Sequence, residues 1–85
     1  MSEEPQQQPG IDEQLVDRAQ QGDKRAFELL VRKYQYKIIQ LVSRLVGDAD
    51  APDVAQETFI KAWRALKGFQ GNSAFYTWLY RIGIN

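Results

Sequence analysis

A single stripe of apolar residues between two glycines constrains the fold of this chain more than any other feature. Between Gly22 and Gly47, large apolar side chains recur every three or four positions, at Phe27, Leu30, Tyr34, Ile38, Leu41 and Leu45. That spacing places them on one side of an α-helix, whereas a strand requires alternation at every second residue. Asp23 follows the first glycine and is a suitable N-cap. The pattern predicts a helix over residues 24–46 that needs apolar partners from elsewhere in the chain.

The same periodicity predicts one helix before this segment and one after it. The earlier helix spans residues 12–21 and carries four apolar residues on one side, at Ile11, Leu15, Val16 and Ala19. The later helix spans residues 51–67, with Asp50 as its N-cap and Pro52 in its first turn, where a missing amide costs little. Its core stripe consists of Ala55, Phe59, Ala62 and Leu66. These segments have the lengths and patterns of helices that pack against one another.

A fourth helix is predicted from Ala74 to Asn85, with Ser73 as its N-cap. Its apolar pattern is still in phase at the last residue, so we expect the chain to be cut from a longer protein. Phe75, Trp78 and Leu79 follow helical spacing and are expected to face inward, together with Ile82. The chain as a whole predicts an all-α fold, a compact bundle of three to four helices.

Composition narrows the range of functions. The 85 residues include 44% hydrophobic side chains, enough for one small core, but neither cysteine nor histidine. Disulfides, thiolate metal sites and the usual general base are therefore excluded, and we predict no metal, no cofactor and no catalysis. The start of the chain is acidic and rich in glutamine and proline, which predicts a disordered leader over residues 1–10 instead of a secretory signal. No apolar run approaches the roughly 20 residues of a membrane span. A cytoplasmic protein is expected.

The formal net charge of zero conceals an asymmetry along the chain. Residues 1–23 contain six acidic residues and one basic residue, whereas residues 24–85 contain ten basic and five acidic residues. A basic body with an acidic leader is suited to binding a polyanion while the leader competes with it. A solvated surface with clustering by chance remains the alternative, and the charges alone favour it.

Aromatic residues are concentrated near the end of the chain. Five of the ten aromatic residues lie within twelve positions, at Phe69, Phe75, Tyr76, Trp78 and Tyr80. Phe69 lies in a loop with two glycines, and Tyr76 and Tyr80 occupy another side of the fourth helix beside Arg81. Exposed rings next to a basic residue are typical of sites that bind unpaired nucleic acid, because bases stack on them. Packing of all five rings into the core is the other interpretation, and the cluster alone does not decide between them.

Three motifs in register resemble one family. Residues 53–64, DVAQETFIKAWR, match the D-x-x-Q-E-x-F-x-K-A-[WY] pattern of region 2.2 in extracytoplasmic-function sigma factors. Residues 69–82, FQGNSAFYTWLYRI, resemble regions 2.3 and 2.4 of the sigma-E type, and residues 22–34 resemble region 2.1. The resemblance assigns region 2.1 to about 12–46, region 2.2 to about 51–67, and regions 2.3 and truncated 2.4 to about 68–85. It implies a sigma region 2 helical domain over residues 11–85.

The resemblance implies two binding surfaces. In this family the region 2.2 helix docks on the clamp helices of the largest subunit of core RNA polymerase. By position, the polymerase-binding residues would be Asp53, Gln56, Glu57, Ile60 and Arg64. The loop and fourth helix of the family hold the melted non-template strand of the promoter minus-ten element and take one base into a pocket. By position, the DNA-binding residues would be Lys61, Phe69, Gln70, Asn72, Ser73, Phe75, Tyr76, Trp78, Tyr80, Arg81 and Asn85.

The implied function is therefore transcription initiation by capture of an opened strand, without a small-molecule substrate. An anti-sigma factor is an implied partner, and it would hold the protein at the inner membrane. The sequence departs from the sigma-E pattern in two ways. The first is that Gln70 and Asn72 replace an arginine and an acidic residue found in many relatives. We expect this to alter base preference or loop rigidity. The second departure is that the rest of region 2.4 and the helix-turn-helix that reads the minus-thirty-five element are missing.

Three functions other than transcription initiation are alternatives for this sequence. A pure protein-interaction module would use the same exposed apolar residues, and burial of Phe69 and Tyr76 would favour it. A small enzyme would use Asp53 and Glu57, one helical turn apart, although solvated helix charges explain this pair more simply. A reader of duplex DNA would need a basic recognition helix after a tight turn, and the sequence offers none.

Overall fold

The computed structural model describes residues 9–84, which form four α-helices and one 3₁₀ turn. The elements are α1 (Pro9–Gln20), α2 (Lys24–Val46), α3 (Ala51–Ala65), the 3₁₀ turn (Leu66–Gly68) and α4 (Phe75–Ile84). The predicted all-α bundle is confirmed. Pro9 and Gly10, assigned to the disordered leader from sequence, form the first turn of α1, where proline lacks only an amide that has no helical partner. The remainder of that leader lies outside the described residues.

A three-residue junction joins α1 to α2 and fixes the angle between them. The amide of Asp23 donates to the carbonyl of Arg18 at 3.0 Å, and that of Gly22 donates to Ala19 at 2.9 Å. This is a Schellman ending, and Gly22 takes the left-handed conformation it requires, with φ +100°. The Asp23 carboxylate then accepts from the amides of Arg25 and Ala26 as the predicted N-cap of α2. The Ala26 amide and the Arg18 guanidinium lower the pKa of Asp23 below its ordinary value.

The core face of α2 departs from the predicted stripe in its last two turns. Phe27, Leu30 and Ile38 are buried as predicted, but Val42 is buried in place of Leu41. Leu45 is 62% exposed, so its assignment to the core was wrong. The predicted positions keep the helical period of about 3.6 residues, but the last turn of α2 lies outside the core, where Leu45 and Val46 are both exposed.

Helix α3 presents its predicted stripe to the core and ends in the tighter 3₁₀ turn. Ala55, Phe59, Ala62 and Leu66 are all at most 7% exposed. The predicted Asp50 cap is not formed, because Asp50 has helical backbone angles and its side chain makes no capping hydrogen bond. The first turn of α3 instead follows directly from the preceding turn, with the Ala51 amide donating to the Gly47 carbonyl at 3.1 Å.

Helix α4 closes the bundle by packing closely on α3. Phe75 and Leu79 are buried, whereas Trp78 and Ile82 are only partly buried. A Cβ atom added to Gly83 would lie 2.7 Å from Oγ1 of Thr58, a side chain that is itself 1% exposed. Glycine at this position therefore permits an approach that any larger residue would prevent. The predicted Ser73 cap is also not formed, since the Ser73 hydroxyl donates to the Ala74 carbonyl at 3.2 Å.

Within residues 9–84, no helix combines the length and the apolar character needed to cross a membrane.

Candidate nucleic-acid interface

The loop between the 3₁₀ turn and α4 is held in place by a side chain of α1. Nε2 of Gln20 donates to the carbonyl oxygens of Leu66, at 3.0 Å, and Phe69, at 2.9 Å. The Phe69 amide also donates to the Leu66 carbonyl at 3.0 Å. Both carbonyls lie where helical hydrogen bonding stops, so Gln20 gives the Phe69 carbonyl a donor and gives the Leu66 carbonyl a second one beside the Phe69 amide. The position of Phe69 is thus set by two hydrogen bonds.

Three rings from the loop and α4 form a continuous aromatic cluster. The Phe69 ring lies 5.0 Å from that of Trp78 and 6.1 Å from that of Phe75, measured between centroids. Phe75 and Trp78 are 5.8 Å apart, and Tyr34 of α2 lies 6.0 Å from Phe75. Phe69 and Trp78 remain partly exposed, so the cluster both closes the core and reaches the surface. All five rings of the sequence cluster contact the core, Phe75 as a buried member and the other four as partly buried side chains packed against it.

A cavity of about 450 Å³ lies between this loop and α1. Helix α1 forms one wall and the loop with the start of α4 forms the other. The lining residues are Asp12, Glu13, Val16, Asp17, Gln20, Phe69, Gln70, Gly71, Ser73, Ala74 and Phe75. Four of the predicted DNA-binding residues therefore meet at this cavity, namely Phe69, Gln70, Ser73 and Phe75. Its volume lies within the range of small-molecule pockets and is large enough for a nucleobase.

The α1 wall carries three carboxylates, and one of them is tied into the fold. Asp12 accepts a hydrogen bond from Nζ of Lys33 at 2.7 Å and another from the hydroxyl of Tyr34. Burial, and then the bond to Asp12, raise the pKa of Tyr34 well above its ordinary value of 10.0. Glu13 and Asp17 also line the cavity and are exposed to solvent. No lysine or arginine is among the lining residues, so the cavity is negatively charged.

The remaining predicted DNA contacts lie outside the cavity. Tyr76 stacks on Tyr34, with centroids 5.4 Å apart, and Nζ of Lys37 lies 5.2 Å from the Tyr76 ring. Tyr80 is partly buried, whereas Lys61, Asn72 and Arg81 are exposed. Asn85 lies outside the described residues. The structure thus brings four of the predicted residues to the cavity and leaves the other described ones, on α3, in the loop and on α4, outside its lining.

The outward face of α3 carries the predicted polymerase contacts. Asp53, Gln56, Glu57 and Arg64 are exposed around Ile60, which is 46% exposed. They lie opposite the buried stripe and recur every three or four residues, so they share one side of the helix. One apolar residue surrounded by charges has the composition of a small protein interface.

The sequence did not predict the contribution of α1 or of Lys37 on α2 to this site. Gln20 lies one helical turn after buried Val16, and a polar residue in phase with a core position was a usable signal. Glu13 and Asp17 were counted only as part of an acidic leader. Lys37 gave no sequence signal, because its position above Tyr76 depends on how α2 and α4 pack.

Comparison with known sequences agrees with these features. Residues 30–85 match the family described as Sigma-70 region 2. The RNA polymerase sigma-H factor of Pseudomonas aeruginosa is 69% identical over 75 residues, which cover 87% of this chain. The ECF RNA polymerase sigma-E factor of Escherichia coli is 62% identical over 74 residues, also 87% of this chain. In each case the match spans 39% of the relative, so the chain covers about two fifths of their length.

A solved structure resembles the whole chain. It is an NMR structure of an engineered region 2 of sigma-E in complex with GTAAAA, 54% identical, with a TM-score of 0.82. The match covers 100% of this chain and 84% of that one. The resemblance to sigma factors of the sigma-E type is therefore confirmed in sequence and in fold. Because residues 30–85 match the family and the fold agrees, the chain belongs to the Sigma-70 region 2 family.

Proposed function

We propose that this chain binds core RNA polymerase and captures the melted non-template strand of a promoter minus-ten element to initiate transcription. The observation that carries the proposal is the cavity between α1 and the loop, which places the Phe69 ring at the edge of a space of nucleobase size. The sigma-E region 2 with the same fold was solved with the single strand GTAAAA. That likeness supports a single strand as the ligand here.

The mechanism requires binding and no covalent chemistry. Extruding a base from duplex DNA costs a few kilocalories per mole, which the protein recovers by binding the extruded base. Because the cavity accepts only a base that has left the stack, the protein has differential affinity for open and closed DNA. Such a difference shifts the equilibrium towards the open form. Phe75 and Trp78 support Phe69 from behind, so its ring is already in position before the base arrives.

The adjoining surface of α2 and α4 contacts the strand outside the cavity. Tyr76 offers a ring for stacking, and Lys37 above that ring offers a charge for a phosphate. Arg81 is exposed on α4, and Lys61 is exposed on α3. Phosphate contacts position a strand without reading its sequence, so these three cations contribute affinity and not base preference.

The exposed face of α3 docks on the clamp helices of the largest polymerase subunit. Ile60 supplies an apolar centre, while Asp53, Glu57 and Arg64 supply charges that select a complementary surface. This face is separate from the residues that line the cavity. Polymerase and the strand therefore bind to the chain at the same time.

A second candidate function is binding of an anti-sigma factor, favoured by the exposed apolar side chains that the fold leaves on its surface. Leu29, Tyr36 and Leu45 are each at least half exposed, and together with Ile60 they give a partner apolar surface to cover. The two functions are compatible, because an inhibitor acts by covering a functional surface. We place the protein in the cytoplasm, held at the inner membrane when such an inhibitor binds it.

An amide chemical-shift titration tests the main proposal. The chain is titrated at low salt with GTAAAA, with its complementary strand and with the duplex of the two. We expect shifts with GTAAAA alone, concentrated in residues 12–20 and 68–84 on the two walls of the cavity. Equal shifts with all three ligands, spread over the basic surface, would indicate non-specific phosphate binding. Absence of shifts with every ligand would leave protein docking as the function of this chain.

A further inference from the structure

We propose that Glu13 and Asp17 are specificity-determining residues, which select a base carrying an exocyclic amino group for the cavity. The inference rests on the proposed function, since it concerns which base the captured strand places there. It assigns a recognition role to α1, which lies outside the residues 30–85 that match the family.

Helix α1 contributes almost half of the cavity lining. Five of the eleven lining residues belong to it, and three of those five are carboxylates. Asp12 is engaged by Lys33 and Tyr34, so its role is to anchor α1 on α2. Glu13 and Asp17 are one helical turn apart on the same wall, and both are exposed. Both residues line the cavity, with Phe69 and Phe75 on the other wall.

The charges and hydrogen-bonding groups of the lining side chains determine which chemical groups bind in the cavity. The other polar side chains at the cavity are those of Gln20, Gln70 and Ser73, and none is positively charged. The Gln20 amide group is already donating to the carbonyls of Leu66 and Phe69. Among residues 9–84, no group of three acidic side chains is arranged to hold a metal ion. The carboxylates of Glu13 and Asp17 repel a phosphate and form no ion pair within residues 9–84, so a hydrogen-bond donor is the favoured partner.

Nucleobases differ in the donors they present to such a wall. Adenine, cytosine and guanine each carry an exocyclic amino group that can donate to a carboxylate, as the amino group of cytosine does to Asp and Glu in direct readout. Thymine offers only an imino group between two carbonyl oxygens, and those oxygens face carboxylates unfavourably. Gln70 carries no charge, so the loop side chains at the cavity do not offset the charge of α1. Base selection in this chain consequently depends on Glu13 and Asp17.

Equilibrium binding of the 85-residue chain to modified strands tests this inference. The probes are GTAAAA and four strands in which one adenine at a time is replaced by purine, which lacks only the amino group. A further set carries thymine at each of the same positions. We expect one position at which purine weakens binding about tenfold, as for a hydrogen bond to a charged group, and thymine weakens it further. The other positions should change little.

The double variant E13A/D17A assigns the effect to these residues, with E28A as the matched control at an exposed position outside the cavity. Alanine is a good helix former, so the fold is expected to persist, as circular dichroism will verify. We expect E13A/D17A to bind adenine and purine strands equally and E28A to keep the tenfold preference.

A preference that survives in E13A/D17A would overturn the assignment. Equal binding of all strands by the unmodified chain would overturn the inference but not the proposed function. No binding of any strand would overturn both.

Discussion

The side-chain amide of Gln20 donates to the carbonyl oxygens of both Leu66 and Phe69, at 3.0 and 2.9 Å. One residue of α1 thus holds the beginning and the end of the turn from which the Phe69 ring projects. Both carbonyls are partly buried, and loss of Gln20 would remove the side-chain donor of the Phe69 carbonyl and leave the Leu66 carbonyl with the Phe69 amide. The link connects the first helix of the chain to the loop that lines the cavity.

Replacement of Gln20 should destabilise the chain and disorder the loop. We expect Q20A to lower the free energy of unfolding by about 1–3 kcal/mol, the cost of leaving a buried acceptor unpaired. Q20E should cost more, because it places a carboxylate against two carbonyl oxygens. Urea denaturation measures the change, and amide exchange at residues 69–73 measures the loop. Q21A, at the exposed neighbouring position, is the control, and an equal loss in Q21A would contradict the role of the hydrogen bonds.

Tyr34 should make stability depend on alkaline pH. Burial, and then the hydrogen bond to Asp12, raise the pKa of Tyr34 above its ordinary value of 10.0 in the folded chain. The protonated phenol is therefore favoured by folding. Its contribution is complete below the unfolded pKa of 10.0 and is lost as pH rises from there through the folded pKa. We expect the free energy of unfolding to fall above about pH 10.

The variant Y34F should lack the part of the alkaline decrease in the free energy of unfolding that comes from ionisation of Tyr34. Y36F is the matched control, because Tyr36 lies on the same helix and is 73% exposed. Denaturation curves at several pH values between neutrality and the alkaline limit provide the measurement. An alkaline slope that is the same in Y34F and in the unmodified chain would show that Tyr34 ionises alike in both states.

Gly83 should resist substitution because of Thr58. An added Cβ would lie 2.7 Å from Oγ1 and 3.0 Å from Cγ2 of Thr58. We expect G83A to lower the free energy of unfolding by about 1–3 kcal/mol, as is typical of overpacking, despite the better helix propensity of alanine. The double variant T58A/G83A should recover much of that loss. G68A is the control, since no atom lies within 4 Å of its added Cβ. Stability of G83A equal to that of G68A would refute the close contact.

Truncation of Phe69 should weaken binding of the open strand. We expect F69A to lose about 1–3 kcal/mol of affinity for GTAAAA, the usual cost of one lost stacking partner. F69L keeps much of the packing against Phe75 and Trp78 but removes the ring, so it separates stacking from support of the fold. Fluorescence anisotropy with labelled GTAAAA measures the affinities. Unchanged affinity in both variants would place the strand away from Phe69.

Charge reversal at Glu57 should affect polymerase alone. We expect E57K to weaken binding to core polymerase roughly tenfold, because it alters a charge at the centre of the proposed docking face. Binding to GTAAAA should persist, since Glu57 does not line the cavity. E28K, on another helix, is the control for a change of net charge. Loss of both activities in E57K would instead indicate a folding defect.

The fold was predictable because local signals and burial agreed over most of the chain. Asp23 and the stripe from Phe27 to Ile38 predicted α2, and its observed ends, Lys24 and Val46, are those predicted. Asp50 and Ser73 failed as caps because a capping role depends on backbone angles, which residue type alone does not determine. Leu45 was misplaced because helical period predicts the face of a residue but not whether another element covers that part of the helix.

The site was predictable only where it lies within the matched motifs. Phe69, Gln70, Ser73 and Phe75 were among the predicted DNA-binding residues and line one cavity, and strand binding there stays a prediction. The opposite wall depends on contacts between residues nearly fifty positions apart, such as Gln20 and Phe69, which no local pattern encodes. Asn72 was grouped with the pocket residues, but it is absent from the cavity lining.

The hydrogen-bonded junction at Gly22 and Asp23 has a consequence for the speed and thermodynamics of recognition. With every amide of residues 21–23 donating to the last turn of α1, that helix has no hinge about which to swing. The cavity is accordingly preorganised, and the entropy of ordering its walls is lost when the chain folds and not when a ligand arrives. Association should then be limited by how often a base leaves its stack, with little rearrangement of the protein to slow it.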